Sequence, residues 1–196
     1  MRVVDLEPAA QRMSALLTDI PDGLLDGPTP CPEYTLGDLL DHVGGLALAF
    51  TAAATKDTAG FSSQRASGDA SRLGDDWRSR IPRDLAALAH AWCDPAAWSG
   101  MTRAGGIELP GEVAGIIALD ELVIHGWDVA RAAGQVYDCD PVSLDVVHGF
   151  VVQMAGPGQE AVREGLFGPV VPVPDDAPLF DRVIGLSGRH PNWSPG

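Results

Sequence analysis

The chain has 196 residues, a formal net charge of −14 and 45% hydrophobic residues. That length suits one domain with its own hydrophobic core, and the composition is typical of a globular protein. The excess of acidic residues, 27 against 13 basic ones, argues against a nucleic-acid partner and against binding to an anionic membrane surface. Glycine (23) and proline (16) are unusually frequent. A helical fold must therefore keep most of them between its helices.

The N-terminus lacks the basic and apolar regions of a secretory signal. The longest uncharged stretch, residues 43–55, is shorter than the roughly 20 apolar residues of a transmembrane helix. Cys31, Cys93 and Cys139 form no CxxC motif, which excludes a zinc ribbon and a thioredoxin-type site. We therefore expect a cytoplasmic protein with reduced thiols.

Apolar residues at helical spacing predict five principal helices. They cover residues 4–20, 36–56, 73–93, 110–133 and 141–155. Thr35 is the expected N-cap of the second helix, with Asp38 completing a capping box. Pro82 indicates a kink or a fresh helix start, and Gly134 is the expected C-cap of the fourth helix.

The connections are rich in glycine, proline and small polar residues. Residues 21–34 predict a stiff extended segment, 57–72 a mobile loop, and 96–110 a short hairpin or an ordered loop. The predicted fold is all-α, a four-helix bundle with an extra helix and a Gly/Pro-rich C-terminal tail. We expect residues 1–155 to form the bundle. Residues 156–196 are expected to wrap around it within the same domain and to include a short helix over 177–186.

Glu121 and His125 stand four residues apart in the fourth predicted helix, so they share a face, and Asp128 lies on it too. That face otherwise packs against other helices. Because a buried carboxylate needs a counter-charge or a metal, the pair is a candidate set of two ligands in a bundle core. The alternative is an ordinary ion pair at the surface or edge of the helix.

His42 is the best candidate for a third ligand, since it lies at the edge of the apolar stripe of the second helix. Asp38, one turn earlier, could orient its imidazole as a hydrogen-bond acceptor. The alternative is a hydrogen-bonded histidine at the edge of the core. Two histidines and one carboxylate with an open position suit Zn²⁺, Ni²⁺ or Fe²⁺. Zinc and nickel are the expected metals.

Other side chains near these positions have two interpretations each. Trp127 is either the wall of a pocket or a core aromatic. Arg131 follows Asp128 by three residues, which predicts an ion pair between them; its functional alternative is to anchor an anionic substrate. Cys31, between two prolines, is either a reactive thiol or a structural loop cysteine.

Three segments resemble signatures of one family. They read PTPCPEYT leading into DLLDH over residues 28–42, ELVIHGWDVARAAG over 121–134, and DRVIGLSGRHP over 181–191. They resemble the mycothiol-dependent maleylpyruvate isomerase N-terminal-like proteins of the DinB/YfiT-like superfamily, and the last segment resembles the tail of its short actinobacterial members. The resemblance implies a four-helix bundle that holds a divalent metal with His42, Glu121 and His125.

The resemblance also implies a low-molecular-weight thiol, mycothiol, as cosubstrate. The leading hypothesis is a transferase or isomerase in which the metal activates the thiol, with the 57–72 and 96–110 segments shaping the second-substrate pocket. The isomerase itself carries an additional C-terminal domain, and this chain has only a short helix and tail in that place. This argues against maleylpyruvate isomerisation specifically and leaves thiol-dependent transfer open.

A metal-dependent hydrolase and a non-catalytic metal-binding or stress-linked interaction protein are the alternatives. The expected partners are a small-molecule thiol, a small electrophile and, in a homodimer, a second copy of the chain.

Overall fold

The computed structural model describes residues 3–58, 67–163 and 166–195. Helices dominate it, with one two-stranded sheet. The helices are α1 (Glu7–Leu17), α2 (Leu36–Thr55), α3 (Trp77–Trp92), α4 (Gly111–Ala132), α5 (Pro141–Met154), α6 (Glu160–Arg163) and α7 (Leu179–Leu186), and the strands are β1 (Met101–Ala104) and β2 (Ile107–Pro110). The fold is thus mostly helical, and the sheet is a departure from the all-α expectation.

The start of α2 is fixed by the expected capping box. Thr35 Oγ1 accepts a hydrogen bond from the Asp38 amide, and Asp38 Oδ2 accepts one from the Thr35 amide at 3.0 Å. Together these bonds satisfy two backbone donors at the helix start. Asp38 Oδ1 also accepts from the Ala70 amide at 2.7 Å, so the cap ties down the segment that follows the 57–66 stretch.

The main core contains residues of α1 to α4, and α5 and α7 also contribute to it. α2 packs against α3 and α4, and α1 packs against the same two helices. Gly44 faces α3, since a Cβ built there would lie 3.4 Å from Ile81 Cγ1, which is ordinary van der Waals contact. α2 and α4 run antiparallel. The first half of α2 therefore lies beside the second half of α4.

The opposite end of α2 carries the hairpin. β1 and β2 pair antiparallel, with Thr102 opposite Leu109, and both residues are buried. Thr102 Oγ1 donates to the Ala53 carbonyl at 2.6 Å, which anchors β1 to the last turns of α2. Trp92 and Trp98 pack edge to face beside it, and each indole N–H donates to a buried carbonyl. The hairpin alternative for residues 96–110 is confirmed.

The chain then folds back over α4. Gly134, with φ +68°, ends α4, and the Gln135 amide donates to the Ala130 carbonyl at 2.8 Å. These are features of a Schellman motif in which Ala133 is the C-cap and Gly134 is the residue after it, so Gly134 terminates the helix as expected but lies one position beyond the cap. α5 packs on α4, and α7 packs on α5.

Several boundaries differ from the expectations. α3 begins at Trp77 and continues through Pro82, so Pro82 is not a fresh helix start. α6 was not predicted. Of the loop expected over 57–72, residues 70–72 form a turn of 3-10 helix held by Asp41, while 59–66 lie outside the described residues. None of the described helices combines the length and the apolar character that a membrane crossing needs.

Candidate metal centre

The structure brings together the three predicted ligands. Glu121 and His125 lie one turn apart on α4, and His42 faces them from α2. One donor atom from each residue lies within 4.8 Å of the other two. The antiparallel packing of α2 on α4 is what places a residue from the start of α2 beside this part of α4.

The contacts within the cluster are unequal. His125 Nε2 lies 3.0 Å from Glu121 Oε2, which is hydrogen-bonding distance. His42 Nε2 lies 3.9 Å from the same oxygen, which is too far for a hydrogen bond. The two imidazole rings meet edge to face with their centroids 5.0 Å apart. Both histidines are buried, whereas the Glu121 side chain keeps 21% of its surface exposed, so the cluster opens to solvent at Glu121.

The far side of His125 is held by Asp128. His125 Nδ1 lies 3.0 Å from Asp128 Oδ2, and Asp128 is fully buried. A carboxylate on Nδ1 keeps a proton there, which leaves the Nε2 lone pair for a metal when the ring is neutral. Asp128 thus has the position that a supporting carboxylate occupies behind a metal-binding histidine.

Asp128 is in turn paired with Arg189, from the segment after α7. Arg189 Nε lies 3.1 and 3.2 Å from the two carboxylate oxygens, and its Nη2 lies 2.8 Å from Oδ2. Both side chains are buried. Sequence reasoning missed this partner because 61 residues separate the pair, although Arg189 lies inside the GRHP stretch of the third signature.

These contacts shift the titration of the cluster. Burial alone would raise the pKa of Glu121, but the hydrogen bond from His125 and the charges of both histidines hold that pKa well below its usual range. Burial disfavours the charged form of His125, yet the hydrogen bonds to Asp128 and Glu121 raise its pKa to about 9. Without a metal, His125 is therefore an imidazolium between two carboxylates at neutral pH.

The donor set fits a divalent metal. Two imidazole nitrogens and one carboxylate oxygen are ligands that Zn²⁺ and Ni²⁺ both accept. The three donor atoms lie within 4.8 Å of one another, and a carboxylate is already in place behind His125. Among the residues that the structure describes, this cluster could provide three ligands to a metal ion.

Tyr34 lies next to the cluster, and Cys31 lies near the Asp128–Arg189 pair. The Tyr34 ring packs against the His42 ring, with their centroids 5.2 Å apart. Burial is the main cause that raises the pKa of the Cys31 thiol to about 11, and the Cys31 amide donates to Thr29 Oγ1. A thiol with that pKa is protonated at neutral pH, so the structure favours the loop-cysteine interpretation of Cys31.

The remaining predicted residues have mixed outcomes. Asp38 Oδ2 accepts from the Thr35 amide in the cap, and Asp38 Oδ1 accepts from the Ala70 amide. The expected role of Asp38 as an acceptor for His42 stays a prediction. The expected ion pair between Arg131 and Asp128 is wrong: Arg131 donates to the Trp193 carbonyl, and Asp128 pairs with Arg189. Trp127 is buried, as the core interpretation requires, and its place in a pocket wall stays a prediction.

The hairpin is far from the cluster. Its anchor at Ala53 is eleven residues along α2 from His42, which is roughly 16 Å at the rise of an α-helix. The expectation that the 96–110 segment shapes the second-substrate pocket stays a prediction, which this separation disfavours. The 67–72 segment, by contrast, contacts Asp38 and Asp41 of α2, within about one turn of His42.

Together, the fold and the cluster define a helical protein with a candidate His-Glu-His centre for a divalent cation. The family model described as the mycothiol maleylpyruvate isomerase N-terminal domain matches residues 6–130. The chain belongs to this family.

Relatives in sequence and in structure were also found. Uncharacterized proteins from two Mycobacterium tuberculosis strains are each 29% identical over 187 residues, covering 92% of this chain and 93% of their own length. The crystal structure of the mycothiol-dependent maleylpyruvate isomerase matches with a TM-score of 0.57 at 18% identity, and that of its histidine-to-alanine mutant with 0.58 at 19%. Each alignment covers 78% of this chain and 71% of the solved one, which indicates a shared fold.

Proposed function

We propose that this chain binds a divalent metal, zinc or nickel, through His42, Glu121 and His125, and uses it to activate mycothiol for a transferase or isomerase reaction on a small electrophile. The observation that carries the proposal is the convergence of three donor atoms from two helices within 4.8 Å, in front of a buried carboxylate on His125. Membership of the mycothiol maleylpyruvate isomerase N-terminal domain family supports the choice of thiol.

The residues of this chain have distinct parts in the proposal. His42, Glu121 and His125 would hold the metal, and Asp128 keeps a proton on His125 Nδ1 so that Nε2 faces Glu121. A divalent ion there would supply the Lewis acidity that lowers the pKa of a ligating thiol. The partly exposed Glu121 marks the side from which the thiol and the electrophile would arrive.

Among the described residues, three candidate ligands come together, which favours a reactive site over a structural one, because a structural zinc site is normally closed by four protein ligands. We further propose that α1, α2, α3 and α4 form the DinB-like four-helix bundle, with residues 156–196 as its wrapping tail. The three cysteines are free thiols, which suits a cytoplasmic location. A homodimer is part of the same proposal.

The test begins with elemental analysis of the purified protein, followed by calorimetric titration with mycothiol. The metal-loaded protein should bind the thiol, and both the metal-free protein and the His42→Ala variant should not. His90→Ala, which changes an exposed histidine on α3, is the matched control and should behave as wild type. A loaded protein that gives no heat at millimolar mycothiol would overturn the thiol proposal. Turnover of ester or amide substrates without thiol would instead indicate the hydrolase.

A further inference from the structure

The ion pair between Asp128 and Arg189 connects the C-terminal segment to the candidate metal centre. Starting from the metal side, Glu121 Oε2 lies 3.0 Å from His125 Nε2, and His125 Nδ1 lies 3.0 Å from Asp128 Oδ2. That same Asp128 oxygen accepts from Arg189 Nη2 at 2.8 Å. A continuous chain of charged hydrogen bonds therefore runs from the ligand cluster to a residue near the end of the chain.

Both side chains of the Asp128–Arg189 pair are held in place by their surroundings. Asp128 is fully buried and lies in the last turns of α4. Arg189 keeps 7% of its surface exposed. Arg189 Nη1 donates to the Ser187 carbonyl at 2.9 Å, which fixes the guanidinium plane, while Nε and Nη2 both face the carboxylate. Two donors on one carboxylate fix its orientation, and the guanidinium also supplies the opposite charge.

Arg189 holds the Asp128 carboxylate by contacts to both of its oxygens. The direction of the carboxylate then determines the plane of the His125 ring, because the ring follows its Nδ1–H···O hydrogen bond. Removing Arg189 would leave the Asp128 carboxylate free to turn. The His125 Nε2 atom would then lose its fixed position.

We propose that Arg189 is a positioning residue of the metal centre, which holds Asp128 so that Asp128 orients His125 toward Glu121 and His42. This inference rests on the proposed metal site. It assigns to the C-terminal segment a role in preparing the ligands, in addition to packing over the helices.

The structure offers a matched control in Arg163. Arg163 donates to the Gly168 carbonyl at 3.0 Å and to the Leu186 carbonyl at 2.6 Å, so it anchors the same end of α7. These bonds involve backbone carbonyls outside the Asp128 pair. Arg163→Ala therefore loosens the segment without removing the donor to Asp128.

The test compares Arg189→Ala with Arg163→Ala by two measurements. Calorimetry gives the zinc affinity, and proton NMR of metal-free protein labelled with ¹⁵N-histidine follows the hydrogen-bonded Nδ1–H of His125, assigned by its loss in His125→Gln. For Arg189→Ala we expect zinc affinity to fall by about 10–100-fold, the range typical of lost supporting contacts. The Nδ1–H signal should be lost or broadened, and millimolar methylguanidinium should restore both properties in part. Arg163→Ala should change neither.

The contrary results are equally specific. Wild-type affinity and an unchanged Nδ1–H signal in Arg189→Ala would overturn the proposal, and so would an equal loss in Arg163→Ala, which would assign the effect to packing of the tail. If Arg189→Ala does not fold, Arg189→Lys decides: it keeps the charge but not the forked donors, so wild-type behaviour in both measurements would overturn the proposal. A wild-type protein that binds no zinc contradicts the proposed function, while the NMR comparison still tests Arg189.

Discussion

His42 Nε2 lies 3.9 Å from Glu121 Oε2, across the interface between α2 and α4. This separation is beyond hydrogen-bonding distance. His125 reaches the same carboxylate oxygen at 3.0 Å from within α4. Glu121 is therefore the residue that both histidines share, and the metal proposal depends on its carboxylate more than on any other single group.

Replacing Glu121 by glutamine tests that dependence. The amide keeps the size of the side chain but removes the anionic donor, so we expect zinc affinity to fall by at least about 100-fold, since loss of a supporting contact alone costs 10–100-fold. Calorimetric titration measures the affinity. Glu112→Gln, in the exposed first turn of the same helix, should bind zinc as wild type does. Equal affinities for the Glu121 variant and wild type would exclude this residue as a ligand.

Metal binding should depend on pH in a predictable direction. The hydrogen bonds to Asp128 and Glu121 raise the pKa of His125 to about 9, so below pH 9 the metal-free ring carries an extra proton. A metal must displace that proton. We therefore expect the apparent zinc affinity to rise about tenfold per pH unit up to about pH 9, for one proton released by His125.

Titrations in buffers of different ionisation enthalpy measure the released proton directly. About one proton from His125 should be released at pH 7. Asp128→Asn removes one of the two carboxylates that hold this proton, so the pH dependence should flatten in that variant. An affinity in wild type that is constant between pH 6 and 8 would contradict the assignment of a charged His125.

Much of this site could be predicted from local sequence patterns, and the rest depends on tertiary packing. The helical repeat places Glu121 and His125 on one face of α4, and the apolar stripe of α2 places His42 near its edge. The Arg189–Asp128 pair follows from how the C-terminal segment folds back over α4, which no local pattern encodes. For the same reason Arg131, which has the right spacing for Asp128, bonds to Trp193 instead.

The fold likewise has features that the local sequence predicts and features that tertiary contacts decide. Capping residues such as Thr35 and Gly134 are predictable because a local hydrogen bond or a positive φ dictates them. The choice between a hairpin and a loop at 96–110 depends on the Thr102–Ala53 contact with α2, which is a tertiary interaction. Continuation of α3 through Pro82 is likewise a case where packing overrides local preference.

The capping box of α2 should contribute measurably to stability. Thr35→Ala removes the hydroxyl that accepts from the Asp38 amide and donates to the Asp38 carboxylate at 2.6 Å, so we expect the free energy of unfolding to fall by about 1 kcal/mol. Urea unfolding at pH 7 measures this loss. Thr35→Ser keeps the hydroxyl and should retain most of the stability. An alanine variant as stable as wild type would show that the capping hydroxyl contributes nothing measurable to the free energy of unfolding.

The contribution of this cap should also fade in acid. The hydrogen bonds from Thr35 and Ala70 lower the pKa of Asp38 below its ordinary value. A lowered folded pKa stabilises the protein fully above the unfolded value of about 3.9, and that stabilisation is lost as pH falls through the folded pKa. The difference between wild type and Thr35→Ala should therefore shrink below about pH 4. A difference that grows on acidification would contradict the sign of the shift.

Two helical glycines should respond to alanine in opposite ways. A Cβ at Gly115 of α4 would lie 2.7 Å from Trp98 Cζ3 and 2.8 Å from Trp92 Cζ3. Both rings are buried and held by their indole hydrogen bonds, so they have little room to move. We expect Gly115→Ala to destabilise the protein by about 1–3 kcal/mol, as overpacking of a core does.

Gly149 of α5 provides the matched control, because nothing lies within 4 Å of a Cβ built there. Gly149→Ala should stabilise the protein by about 0.5–1 kcal/mol, since alanine restricts the unfolded chain and favours the helix. Thermal and urea unfolding of both variants measure the two effects. If Gly115→Ala were as stable as Gly149→Ala, the close packing of α4 on the two tryptophans would be wrong. The opposite signs follow from tertiary contact alone, since both glycines lie in helix interiors.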